Sequence, residues 1–179
     1  MIEPDIRDHR VAVADGLTLH CRDYSSGLSR LPVLCLPGLT RNGRDFHELA
    51  SHLSAERRIL ALDLRGRGLS DYDPDWHRYR LDVYVEDVIA VLDALGVARV
   101  IIIGTSLGGL VGMFLGVQNP ERLAGLVLND IGPELDVRGM NRIASSVGRS
   151  GPVENWEQAA AAAKDAHTAV MPDFSASDW

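Results

Sequence analysis

The sequence predicts an α/β protein with a mostly parallel sheet flanked by helices. Three observations lead there. Short apolar runs at Val33-Leu34-Cys35-Leu36, Ile59-Leu60-Ala61-Leu62, Val100-Ile101-Ile102-Ile103 and Leu123-Ala124-Gly125-Leu126-Val127-Leu128 read as strands covered on both faces. Segments with helical apolar spacing separate them, so strand and helix alternate as in successive βαβ units. Each run ends in a Gly-, Pro- or Asp-containing stretch, and in parallel sheets such carboxyl ends are where sites gather.

The elements follow in order. Arg10 to Ala14 and Leu17-Thr18-Leu19-His20-Cys21 alternate around Asp15-Gly16, the pattern of an antiparallel hairpin. His20 falls on the polar phase and is expected at the surface or as a satisfied histidine. The first buried strand, 33–36, runs into Pro37-Gly38-Leu39-Thr40. Phe46, Leu49, Ala50 and Leu53 then mark one face of a helix over 45–53, leaving His47 and His52 off that face. After strand 59–62 comes Asp63-Leu64-Arg65-Gly66-Arg67-Gly68-Leu69-Ser70-Asp71. Its Gly66-Arg67-Gly68 lacks the third glycine of a dinucleotide loop. Val85, Val88, Ile89, Leu92 and Leu95 define a helix over 81–95, closed by Gly96.

Strand 100–103 leads straight into Gly104-Thr105-Ser106-Leu107-Gly108-Gly109, and a helix runs from Leu107 to about Val117, stopped by Asn119-Pro120. The sixth strand, 123–128, leads into Asn129-Asp130-Ile131-Gly132-Pro133. Beyond it the pattern changes: 135–147 and 153–170 read as two helices with no strand between them, broken at Gly148-Arg149-Ser150-Gly151-Pro152. Residues 1–133 are therefore expected to form a core and 134–179 a helical segment over the sheet's carboxyl edge. Ser175-Ala176-Ser177-Asp178 has the form of a capping box, but Trp179 follows before any helix.

Composition narrows the function. The chain has 179 residues, 46% hydrophobic and 24% charged, as befits a soluble globular protein, and its formal charge is −7. An acidic balance argues against nonspecific binding to nucleic acid or anionic membrane. The arginines at 57–58 and 65–67 are expected to be solvated loop charges. Met1 to Asp8 is polar and acidic, without the form of a signal peptide, and no stretch approaches the ~18 apolar residues that span a bilayer. Cys21 and Cys35 are expected to be buried free thiols, which points to the cytoplasm. No metal or cofactor motif is present.

The chemistry concentrates at Ser106. A serine on a sharp strand-to-helix turn between glycines is exposed to substrate and to a base. The backbone N–H of Leu107, directly after it, and that of Leu39, in the loop after the first parallel strand, are candidate oxyanion donors. With these motifs in this order, the chain resembles the α/β-hydrolase fold family: the elbow 104–109, the Leu36-Pro37-Gly38-Leu39 loop, Asp63-Leu64-Arg65-Gly66-Arg67-Gly68-Leu69-Ser70, and Leu128-Asn129-Asp130-Ile131-Gly132-Pro133.

The resemblance implies a serine hydrolase of small esters, thioesters or lactones, with Ser106 as nucleophile and no cofactor or metal. It also implies eight strands and a triad in the order Ser, Asp/Glu, His. This chain reaches the sixth strand, so two strands, a helix and the catalytic histidine are expected beyond Trp179. Asp130, after the sixth strand, is the candidate acid, with a structural N-cap or turn aspartate as the alternative. His167, the only histidine after Ser106, is expected to be a residue of the helical segment. A hydrolase of carbon–carbon bonds and a non-catalytic binding module remain the alternatives.

Overall fold

Six strands form one sheet in the order β1-β2-β4-β3-β5-β6. The computed structural model describes residues 5–25, 30–132, 134–148, 151–168, 171–175 and 177–178. Pro133, Arg149, Ser150, Val170, Ala176 and Trp179, which figure in the sequence reading, lie outside them. Two compact units result, 1–132 and 133–179.

The first unit opens with the expected hairpin, longer than the alternation suggested: β1 (Asp5–Ala12) pairs antiparallel with β2 (Thr18–Ser25). β2 also runs antiparallel to β4 (Ile59–Leu62). β4, β3 (Val33–Leu36), β5 (Val100–Thr105) and β6 (Leu123–Asn129) are mutually parallel. Of the helices, α2 (Leu81–Ala94) and α3 (Leu107–Gln118) cover one sheet face, joining Val85, Val88, Leu92, Val111 and Leu115 to Leu34, Leu36, Leu60, Leu62 and Ile102. On the other face, α1 (His47–Leu53), preceded by a 3₁₀ turn over Gly43–Phe46, packs Phe46 and Ala50 on Tyr24, Val33, Cys35, Ile59 and Ala61. The second unit contains α4 (Val137–Ser146) and α5 (Trp156–His167), capped by Asp136 and Asn155. Near its end, the Ser175 N–H donates to the Asp178 carboxylate at 2.7 Å, one half of a capping box.

Three expectations need correction. Leu49 is exposed, because the 3₁₀ turn rotates the start of the helix and leaves Phe46 and Ala50 as the anchors. The sixth strand is not buried on both faces. It forms the sheet edge among the described residues, with Val127 51% and Leu128 37% exposed. Of the two places expected for His20, the structure gives the satisfied one: it is buried, with Nδ1 2.9 Å from Asp63 and Nε2 2.9 Å from Asp8.

The arginines of 65–67 are not free loop charges: Arg65 is buried, and Arg67 is half-buried and hydrogen-bonded. Arg65 is only 2% exposed, and its guanidinium grips the Asp87 carboxylate with two bonds of 2.7 Å while also donating to Asp73 and Asp15 at 2.9 Å each. Burial opposes the charge on Arg65, but the carboxylates of Asp87 and Asp15 outweigh it and hold the group cationic. Burial likewise pushes the Asp87 carboxyl up, against the pull of Arg65. Of the pair at 57–58, Arg58 is half-buried and donates to both Asp23 oxygens, at 3.2 and 3.0 Å, and to the Leu95 carbonyl at 3.1 Å.

No helix among the described residues is long and apolar enough to cross a membrane. Cys21 and Cys35 are buried and free, and burial pushes the Cys35 thiol up to about 12.

Two outcomes follow from this packing. Arg65→Met leaves Asp87 and Asp73 buried without their counter-charge, and urea unfolding is expected to show a loss of about 3–5 kcal/mol. Both thiols should resist Ellman's reagent at pH 8 in the native protein and react at once in denaturant. Burial raises both thiols and keeps them protonated at that pH, so fast native-state labelling would contradict the burial described.

Candidate active site

Strand β3 has β4 on one side and β5 on the other, so the chain reverses its direction of travel across the sheet between β3 and β5. Such a switch point opens a crevice at the carboxyl ends of the two strands. The loop after β3 and the turn after β5 face each other there.

The turn after β5 is a single residue. β5 ends at Thr105 and α3 begins at Leu107, so Ser106 alone redirects the chain, at φ 48° and ψ −112°. For a residue with a Cβ, such a conformation costs on the order of 1–3 kcal/mol. The surroundings hold it. The Ser106 N–H donates to the Asn129 carbonyl at 3.0 Å, and the Ser106 carbonyl accepts from Gly109 and Leu110 at 2.9 and 3.1 Å. The Asn129 side chain also donates to Thr105 Oγ1 at 3.1 Å.

Close passage explains the flanking glycines. A Cβ on Gly108 would lie 2.1 Å from the Leu36 carbonyl oxygen, and one on Gly104 would lie 2.5 Å from the carbonyl of Gly108. Both neighbours are backbone and cannot yield. Among the described residues the Ser106 hydroxyl has no hydrogen-bond partner.

The loop after β3 lies against this turn. A Cβ on Gly38 would sit 3.8 Å from Ser106 Cβ and 3.9 Å from the Thr105 carbonyl oxygen, in ordinary contact. The Arg41 N–H donates to the Gly38 carbonyl at 3.2 Å, closing a turn with Leu39 and Thr40 at its centre. A turn of this kind uses the N–H of its last residue and leaves that of its second, here Leu39, unspent. Leu107, the first residue of α3, has no carbonyl four residues back within the helix, so its N–H is also unspent, at the positive end of the helix dipole.

Asp130 takes a related position on the neighbouring strand. Thr105 and Asn129 are the last paired residues of β5 and β6, so Ser106 and Asp130 each follow that pair. Among the described residues these two are the only non-glycines with positive φ, 48° and 53°. Asp130 is exposed. The fold thus brings Ser106, Leu107 and the Gly38–Leu39 loop together and sets Asp130 one strand away.

No described histidine hydrogen-bonds Ser106. His20 and His9 are bound to aspartates, and His47 Nδ1 is 3.0 Å from the Tyr24 hydroxyl. His167 ends α5 in the second unit.

Asp63, at the carboxyl end of β4, is fully spent on structure. It accepts from the N–H groups of Gly43 at 2.7 Å and Leu69 at 2.8 Å besides its contact with His20. Gly68 must be glycine to allow this, because a Cβ there would fall 2.2 Å from an Asp63 oxygen and its φ is 55°. Two contributors were not visible in the sequence, Asn129 as a clasp on the turn and Arg67 on the loop. Arg67 Nε donates to the Leu39 carbonyl at 2.8 Å.

The chain as a whole is similar to known proteins. Residues 32–177 match the family of the alpha/beta hydrolase fold, and the chain belongs to it. It is 39% identical over 116 residues to a 3-hydroxybutyrate-oligomer hydrolase of Cupriavidus necator, covering 65% of this chain and 40% of that protein. With lipase LipV of Mycobacterium tuberculosis it shares 40% identity over 121 residues, 67% of this chain and 44% of that protein. A crystal structure of an alpha/beta hydrolase from Novosphingobium aromaticivorans superposes with a TM-score of 0.90 at 45% identity, covering 98% of this chain and 62% of that one. The chain spans about two fifths of the length of the curated relatives it matches.

The strain at residue 106 can be measured. Ser106→Gly removes the Cβ that opposes positive φ, whereas Ser106→Ala keeps it. Thermal or urea unfolding is expected to find the glycine variant more stable than the alanine variant by about 1 kcal/mol.

Proposed function

We propose that the protein is a serine hydrolase of small carboxylic esters, thioesters or lactones, working through an acyl-enzyme on Ser106. The observation that carries this reading is the strained, clasped conformation of Ser106 at the switch point, with its hydroxyl unpartnered among the described residues and the Gly38 loop packed against it. Such strain persists where the surroundings over-determine it and function uses it.

In this reading Ser106 Oγ attacks the acyl carbon and its proton passes to a base. The carbonyl oxygen gains the negative charge and is received by the N–H groups of Leu39 and Leu107. Each such donor is worth roughly a hundredfold to a thousandfold in kcat. The leaving alcohol or thiol takes the proton, and water then releases the acid by the same steps in reverse. Asp130 is assigned as the acid that orients the base, and the base as a histidine from beyond Trp179 in a longer protein. The relatives' names, an oligomer hydrolase and a lipase, agree with an acyl substrate.

Incubation of the purified full-length protein with a fluorophosphonate probe and with p-nitrophenyl acetate tests the proposal. Labelling at Ser106 and ester turnover are expected, both abolished in a folded Ser106→Ala variant. A wild-type protein that takes no label would instead be a hydrolase-like binding module.

A further inference from the structure

Arg67 stands out among the groups that the proposed chemistry leaves unused. It lies in the loop after β4, yet it reaches across to the loop after β3. Its Nε donates to the Leu39 carbonyl at 2.8 Å, and its Nη1 donates to the Arg65 carbonyl at 2.6 Å and the Tyr84 hydroxyl at 2.7 Å. The guanidinium carbon lies 5.7 Å from the Tyr79 ring centre and 5.4 Å from that of Tyr84. Both rings are themselves fixed. The Tyr79 hydroxyl accepts from the Asp73 N–H at 2.9 Å, and Tyr84 is buried in α2, where burial pushes its phenol up and keeps it neutral. Beneath them Arg65 is clamped by Asp87 and Asp73. Arg67 is thus a rigid strut between the core and one carbonyl.

That carbonyl matters because of where it sits in the turn. Gly38 to Arg41 form a turn closed by a bond of 3.2 Å, near the long end of the range for an N–H to a carbonyl. Its central peptide joins the Leu39 carbonyl to the Thr40 N–H. Rotation of this unit interconverts type I and type II turns and changes the backbone angles of Leu39. The type II form needs positive φ at Thr40, which Thr40 does not have. The bond from Arg67 fixes ψ of Leu39 and φ of Thr40; the Leu39 N–H lies in the preceding peptide and is held through the shared Cα of Leu39, which the pinned carbonyl keeps from shifting.

We propose that Arg67 is a positioning residue for the oxyanion donor Leu39. It acts through its bond to the Leu39 carbonyl. The inference rests on the serine-hydrolase reading for its catalytic consequence, but the hold of Arg67 on the loop stands apart from it. A cavity of about 450 Å³ lined by Leu39, Arg41, Arg67, Tyr72 and Tyr79 gives small solutes access to the strut.

The test compares wild type, Arg67→Ala and Arg67→Lys in the full-length protein by three readouts. For Arg67→Ala, kcat for p-nitrophenyl acetate is expected to fall about 10- to 100-fold, with KM changed less than about threefold. Ethylguanidinium added in millimolar amounts should restore part of that loss, and the lysine variant should retain more activity than the alanine variant. Amide hydrogen exchange across 37–41 is expected to speed up in Arg67→Ala, with no change in the exchange of α2.

Unchanged exchange in 37–41 would overturn the proposal. So would a kcat loss that neither guanidinium nor lysine relieves and that accompanies a general fall in melting temperature. Should the wild type take no fluorophosphonate label, the serine-hydrolase reading falls and the catalytic consequence of Arg67 falls with it, whereas the exchange measurement still decides whether Arg67 holds the loop.

Discussion

The contact on which the rest depends is the passage of Gly108 over the end of β3. Helix α3 starts so close to the sheet that a side chain at 108 would overlap the Leu36 carbonyl oxygen. Leu36 is the last residue of β3, and the Pro37-Gly38-Leu39 loop begins at the next bond. The closest approach between the two elements therefore also sets the separation between Ser106 and the loop facing it. A longer residue at 108 would lift the helix, straighten the turn at 106 and move the loop. The strain at Ser106 follows from this geometry: a strand and a helix with one residue between them can stay in contact only if that residue takes an unusual conformation.

Electrostatics does for the other loops what close packing does for this turn. The segment after β4 is wound around two charged centres. The Asp63 carboxylate gathers the N–H groups of Gly43 and Leu69 and the ring of His20, tying the 3₁₀ turn before α1, the loop after β4 and strand β2 to one point. The Arg65 guanidinium binds three carboxylates that lie far apart in sequence, from the hairpin turn to α2. Buried ions of this kind add little net stability, since desolvation offsets most of their attraction. Their effect is to make one arrangement of the loops much better than any other, because any shift leaves a buried charge unpaired. Arg67, held between two tyrosines, extends that arrangement to the turn at Leu39.

Periodicity and punctuation made the sheet legible, because burial of a strand or a helix face leaves a local record. The strands at 33–36 and 59–62 coincide with β3 and β4, and Gly96 and Asn119-Pro120 stop α2 and α3 where their backbone preferences require. The strand–turn–helix setting of Ser106 was readable for the same reason. What local pattern cannot record is a bond between distant residues. His20 looks solvent-facing in its own strand, yet it is enclosed by Asp63, 43 positions later, and by Asp8. Arg65 and Arg67 look like loop charges because their partners, Asp87 and the Leu39 carbonyl, lie in other elements. The sixth strand misleads in the opposite sense. Its apolar run is that of a covered strand, whereas among the described residues β6 has a neighbour on one side only.

The two strained residues at the sheet's end are best understood as a pair. Thr105 and Asn129 close the β5–β6 ladder, and the Asn129 carbonyl receives the N–H of Ser106. Both chains turn out of the sheet at the next residue, and each does so through positive φ without a glycine. Serine and aspartate tolerate this at a cost that glycine would remove, so an active side chain at each position is a physical reason for the cost to persist. At 106 the side chain lies against the loop that carries Leu39. At 130 it is an exposed carboxylate, one strand over and at the same level. Adjacent parallel strands that end in register thus deliver a hydroxyl and a carboxylate to one end of the sheet, and the roles proposed for Ser106 and Asp130 rest on that register.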